Sequence, residues 1–173
     1  MEVPRGSLHL NRQQRQSDPV AYGRQQRIGG YRLLNVIMTG QTSQVWEAMH
    51  DSSGTRYALK MLLIDYRRDR EHISYMEQEC ELWSKIEHRY ETNLVEFSTK
   101  GDSPYLVMEY FPWPNIKQYI NAGVERFAFM APKIIEKCAA GLAYFNDQGW
   151  IHRDIMPDNY LLTYEGDVRL IDF

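Results

Sequence analysis

The sequence predicts an α+β fold: five antiparallel strands with one helix among them, followed by a mainly helical region. Three observations carry this. Strand-like runs broken by short turns fill residues 31–63. A single amphipathic helical stretch then precedes two more strand-like runs. From residue 115 onward, helical periodicity dominates.

The elements follow in order. "YRLLNVIM", starting at Tyr31, reads as a strand, "TGQTSQ" as a turn and "VWEAMH" as a second strand. "DSSGT" is a strong turn signal and "RYALKMLL" a third strand, so short connections make the three an antiparallel meander. Asp69 to Glu87 reads as a helix, because Met76, Glu79, Trp83 and Ile86 recur on one face. Glu79 thus falls on the apolar stripe and must find a partner, since an unpaired buried charge is costly. Glu81 and Lys85 pair on the wet side at i, i+4. "NLVEF" and "YLVMEYF" are two further strands joined by "STKGDSP", the second ended by Pro112 and Pro114. "NIKQYI" is a short helix. A longer one runs from Pro132 to Gln148, with Ile135, Cys138, Leu142 and Phe145 on one face and Gly149 at its end. "YLL", a turn at "YEGD" and "VRLIDF" form a closing hairpin, and there are no internal repeats.

A length of 173 residues corresponds to about one domain, and 43% hydrophobic and 13% aromatic content suffice for a core. Cys80 and Cys138 lack metal-type spacing and read as reduced, buried small hydrophobes. There is no apolar run of membrane-spanning length and no secretory leader, so a cytoplasmic location is expected. The net charge of −3 hides an asymmetry. Residues 1–30 carry five arginines against Glu2 and Asp18, a net of +3, which leaves −6 for the rest. This Arg/Gln-rich tail is too poor in apolar residues to order itself. A solvated leader is its expected role, with partner docking a weaker one. The acidic remainder speaks against nucleic-acid binding.

Chemistry concentrates in "WIHRDIMPDNYLL", where Asp154 and Asn159 stand five apart between a helix-like and a strand-like stretch. Together with "YALK", the stranded Glu79 and a terminal "DF", it resembles the first part of a eukaryotic-type, Ser/Thr-like protein kinase domain. The resemblance runs from about Tyr31 to Phe173, with its motifs in the expected order. It implies a protein-kinase-like fold, with residues 31–111 as the N-terminal lobe and 112–173 as the first part of the helical lobe. It implies ATP and Mg²⁺ as cofactors and a protein as substrate. By resemblance, Lys60 pairs with the α/β-phosphates and with Glu79, and Asp154 orients the substrate hydroxyl. Asn159 and Asp172 hold Mg²⁺. Ile37, Gly40, Val45, Ala58 and Leu161 enclose the nucleotide and Met108 guards the back of the pocket. Glu109 and Phe111 offer backbone groups to the purine, and Asn115 reaches the ribose.

The sequence also departs from the family pattern. Registered on Val45, the three glycine positions of the phosphate loop hold Met38, Gly40 and Ser43, so one glycine remains. "HRYETNLV" is longer than the usual connection after the helix and reads as a loop insertion. Met156 stands where Ser/Thr members carry a lysine, and Asp158 where tyrosine members carry an arginine, while Pro157 fits the Ser/Thr pattern. Losing one preorganised cation costs on the order of 10²–10³ in rate, which predicts a slow enzyme. The sequence ends before the glycine expected after "DF". The rest of the helical lobe is therefore expected as a missing partner of the 132–148 helix, and these 173 residues alone are expected to be inactive. The competing reading is a nucleotide-binding or non-catalytic pseudokinase module, motivated by Met156 and the thinned glycine loop.

Overall fold

The computed structural model describes residues 26–86, 88–101, 103–123 and 125–171. A six-stranded antiparallel sheet has the spatial order β1-β2-β3-β4-β6-β5. Its strands are β1 (Arg27–Ile28), β2 (Tyr31–Thr39), β3 (Ser43–His50), β4 (Arg56–Leu62), β5 (Leu94–Ser98) and β6 (Tyr105–Glu109). Helix α1 (Arg70–Trp83) joins β4 to β5, and α2 (Ile116–Asn121) and α3 (Glu125–Asp147) follow β6. A 3₁₀ turn at Pro157–Asn159 leads into the hairpin of β7 (Tyr160–Leu162) and β8 (Val168–Leu170).

Five strands were expected in this sheet and six are present among the described residues. The extra one, β1, corrects the reading of residues 1–30 as a wholly disordered tail. Arg27 and Ile28 pair with Arg32 and Tyr31, and Ile28 packs against the core cluster around Tyr31. The turn between the two strands holds Gly29 at φ +54°, and a Cβ there would stand 2.3 Å from the Tyr105 hydroxyl. Glycine supplies both the left-handed backbone and the clearance. The rest of the basic tail, residues 1–25, lies outside the described residues.

Strand alternation builds two cores, one on each face of the sheet. One face buries Tyr31, Leu33, Trp46, Ala48, Leu59, Met61, Tyr105 and Val107. The Tyr31 and Tyr105 hydroxyls both donate to the Glu96 carboxylate at 2.8 Å. Burial and this carboxylate raise the Tyr31 phenol above its ordinary pKa. The other face buries Val45, Ala58, Leu106 and Met108 against Trp83 of α1.

Helix α1 spans 70–83 rather than 69–87. Asp69 is its N-cap, accepting from the amides of Glu71 and His72, and its backbone is extended rather than helical. Hydrogen bonds from the Ser84 amide to the Cys80 and Leu82 carbonyls tighten the last turn and end the helix. The expected apolar stripe is present: Met76, Trp83 and Ile86 are buried.

Two expectations for α3 are corrected. It begins at Glu125, not Pro132, because Phe127 and Met130 pack on a third core cluster, around Tyr119, Ile134, Tyr160 and Leu162, and hold two turns ahead of the proline. Its buried face carries Ile134, Cys138, Leu142 and Phe145, whereas Ile135 is 66% exposed. Spacings of three and four residues both suit a helix, and packing against Tyr160, Val168 and Leu170 selects Ile134 in place of Ile135.

Candidate active site

The site is built where β4, α1 and the segment from His152 to Asn159 present polar groups. Alternation along β4 turns Ala58 and Lys60 to the α1 side of the sheet and Leu59 and Met61 to the other. Three turns of α1 bring Glu79 to the same side. Lys60 Nζ and Glu79 Oε1 lie 2.6 Å apart, with side chains only 15% and 12% exposed. The carboxylate that the helical periodicity left on an apolar stripe has its cation.

Val45, Ala58 and Met108 lie together in the core cluster on this face. Register explains the grouping: Val45 stands opposite Lys60, and Ala58 opposite Met108. Leu161 arrives from β7 and bridges to Asn115 at the start of α2. Asn115 caps that helix. Its side-chain oxygen accepts from the Gln118 amide at 2.9 Å, which leaves its Nδ2 group for any ribose hydroxyl. The Glu109 amide donates to the Asn93 carbonyl and the Phe111 carbonyl accepts from Trp113. These bonds leave unused the Glu109 carbonyl and the Phe111 amide, two of the backbone groups expected at the purine.

Ile37 and Met38 lie on β2, 51% and 44% exposed, with Met38 opposite Val45. Gly40 closes the β2–β3 turn by donating its amide to the Ser43 carbonyl at 2.9 Å. A Cβ at Gly40 would meet that carbonyl at 3.4 Å, an ordinary van der Waals contact.

The segment around Asp154 is tied from several sides. Asn159 Nδ2 donates to the Asp154 carbonyl and to its Oδ2, both at 2.9 Å. The Asn159 carbonyl accepts from the Ile171 amide, and His152 Nε2 meets the Ile171 carbonyl at 3.2 Å. Arg153 takes a left-handed φ of 66°, a conformation uncommon outside glycine. It turns the chain between buried His152 and exposed Asp154. Asn159 is itself buried, and with its Nδ2 spent on Asp154 it keeps its amide oxygen as a hard donor. That donor suits Mg²⁺ in kind. Asp172, the other expected ligand, lies outside the described residues, as does Phe173. Met156, 41% exposed, precedes the 3₁₀ turn, and no cation stands at that position.

Two carboxylates were missed by sequence reasoning. Glu47 is 7% exposed on β3, beside Ala58 in register. It accepts from Asn35 Nδ2 at 2.9 Å and pairs with Arg56 at 2.9 Å. Period-two counting from Val45 would have found it. Glu91 is 1% exposed, and neither carboxylate oxygen has a hydrogen-bond partner among the described residues. Burial pushes its pKa up to about 8. It sits in the stretch read as a loop insertion. That stretch is a connection with a buried interior side: Thr92 is 1% exposed, its carbonyl accepts from Trp83 Nε1, and Tyr90 and Thr92 bond to Leu170. Gly141 of α3 makes room, since a Cβ there would lie 3.0 Å from Glu91 Oε1.

Known proteins resemble this arrangement. The solved kinase domain of Mycobacterium tuberculosis PknI superposes with a TM-score of 0.67 at 21% identity, covering 86% of this chain and 61% of that one. In sequence, the serine/threonine-protein kinase PrkC of Bacillus subtilis is 30% identical over 145 residues, covering 84% of this chain and 22% of that protein. PknA of Mycobacterium tuberculosis is 29% identical over 150 residues, covering 84% and 35%. The plant kinase ATG1c of Arabidopsis thaliana is 30% identical over 150 residues, covering 84% and 20%. The chain thus spans between about a fifth and about a third of the length of these curated relatives. The protein kinase domain model matches residues 31–173. With the kinase fold, the Lys60–Glu79 pair and the Asp154–Asn159 loop in place, the chain belongs to the protein kinase domain family.

Proposed function

We propose that this protein is a serine/threonine protein kinase, transferring the γ-phosphoryl group of ATP to hydroxyls of a protein substrate. The observation that carries the proposal is the Lys60–Glu79 contact at 2.6 Å, on the face that also carries Val45, Ala58 and Met108. A charge-paired lysine beside an apolar slot suits a nucleotide whose base is buried and whose phosphates need a cation. Residues 31–111 would form the nucleotide-holding lobe and residues 112–173 the loop-bearing part.

In this reading Ile37, Val45, Ala58, Met108 and Leu161 sandwich the adenine, and Gly40 lies over the phosphates. Asn159 and Asp172 would hold Mg²⁺, which neutralises charge on the phosphates when bound. Asp154, held by Asn159, accepts the proton of the attacking hydroxyl. Positioning supplies most of the catalysis. A cytoplasmic site of action goes with the ATP requirement. Among the described residues, no helix is long and apolar enough to cross a membrane.

The test is single-turnover transfer of labelled phosphoryl from ATP to a Ser/Thr protein substrate by a protein that carries the complete kinase domain. Transfer that Asp154→Asn lowers by about 10²-fold or more supports the proposal. The less supported reading, a non-catalytic module, rests on Met156 and the single glycine at position 40. It would be favoured if neither the wild type nor Met156→Lys transfers phosphoryl while both bind ATP.

A further inference from the structure

We infer that the sheet carries a second anion site, for a phosphate monoester, on the face opposite Lys60. A cavity of about 300 Å³ opens there, within the size range of small-ligand sites. Its floor is apolar, with Leu33 of β2 and Met61 of β4, both members of the core cluster on that face. Met61 follows Lys60 in the strand, so the two side chains project to opposite sides. The cavity is thereby separated from the proposed nucleotide site by the thickness of the sheet.

Three cations also line it, beside the polar side chains of Gln26 and Ser103. Arg27 comes from β1, Arg67 from the 63–69 segment between β4 and α1, and Lys100 from the β5–β6 turn. Their partners leave capacity. Arg67 spends Nε on the Leu62 carbonyl at 3.3 Å, and its two terminal nitrogens remain. Arg27 holds Asp51 with one terminal nitrogen at 3.0 Å. Lys100 has no ion pair among the described residues. Among the described residues, three cations against the Asp51 carboxylate leave a local charge of about +2, which matches the −1.5 to −2 of a phosphate monoester near neutral pH. Guanidinium forks suit its oxygens, and a lysine adds a point charge. The Glu96 carboxylate lies on the same face but is capped by the Tyr31 and Tyr105 hydroxyls and does not line the cavity.

The phosphate could belong to a small metabolite or to a phosphorylated side chain. The apolar floor beside the cations gives a neighbouring side chain somewhere to rest. The inference stands on cavity residues only and does not depend on the proposed catalysis.

Calorimetric titration of the full chain at low ionic strength tests it, with O-phosphoserine and, separately, with a phosphoserine heptapeptide. Saturable one-site binding of at least one probe is expected. Arg67→Ala and Lys100→Ala should each weaken it tenfold or more, and Lys85→Ala should leave it unchanged. Saturating ATP should not displace the probe. Equal affinity for the two probes assigns a small phosphate compound, and tighter peptide binding assigns a phosphorylated chain. If Arg67→Ala fails to fold by circular dichroism, Arg67→Gln and Lys100→Ala carry the comparison. Absence of saturable binding by both probes would overturn the inference. So would binding that survives loss of both cations, or competition by ATP.

Discussion

Trp83 and Thr92 are joined by a hydrogen bond from the indole Nε1 to the backbone carbonyl, fully buried on both sides. The bond pins the C-terminal end of α1 to the connection that follows it. Glu79 lies one turn upstream, so the geometry of the Lys60–Glu79 pair depends on this anchor.

Replacing Lys60 by Met should abolish most phosphoryl transfer, by about 10²–10³-fold. It should also lower stability by about 1–3 kcal/mol, because the mostly buried Glu79 carboxylate loses its ammonium. Glu79→Gln retains an acceptor for Lys60 and should cost less stability. Thermal denaturation alongside single-turnover kinetics separates the two effects.

Met156→Lys should raise the transfer rate about 10- to 100-fold by placing a cation beside Asp154. Met156 is 41% exposed and belongs to no core cluster, so the melting temperature should be unchanged within about 2 °C. Equal rates for the two proteins would show that position 156 does not face the phosphates.

Glu91 makes stability fall with rising pH. Its pKa is raised from 4.5 to about 8 by burial, so the folded protein holds a proton there that the unfolded chain gives up. The sign follows: the contribution is complete below pH 4.5, declines through the window between 4.5 and 8, and is lost above it. Glu91→Gln should flatten that decline and gain about 1–3 kcal/mol at pH 8 relative to wild type. Urea unfolding at pH 5, 6.5 and 8 measures it. A parallel offset at all three values would assign the effect to packing.

Gly29→Ala and Gly54→Ala both place a side chain on left-handed backbone, at φ +54° and +68°. Gly54 faces open space and should cost about 1 kcal/mol. Gly29→Ala must also move the Tyr105 ring, disturbing its bond to Glu96, and should cost about 1–2 kcal/mol more. Denaturant midpoints decide the comparison.

The sequence reveals what is periodic. Five of the six strands of the sheet, the stripe of α1 and the pairing demand of Glu79 all follow from alternation and helical spacing, and the structure meets each. The Asp154–Asn159 spacing likewise survives as a direct contact. What stayed hidden depends on tertiary fit. Ile134 and Ile135 compete for one face of α3, and only the β7–β8 hairpin chooses between them. Pro132 looks like a helix start until packing of Phe127 and Met130 carries the helix past it. Glu91 sits in polar, aperiodic sequence, and nothing local says that α3 will cover it. The two-residue strand β1 is too short to show a pattern.

The indole anchor at Trp83 makes α1 a lever with a short arm. Four residues of helix put Glu79 about 6 Å from the fulcrum. A tilt of about 20° about that end would carry the Glu79 carboxylate roughly 2 Å, enough to part a 2.6 Å contact with Lys60. The far end, at Arg70, lies thirteen residues from Trp83 and would sweep about three times as far. A small push where α1 begins is therefore geared down into a fine adjustment at the ion pair.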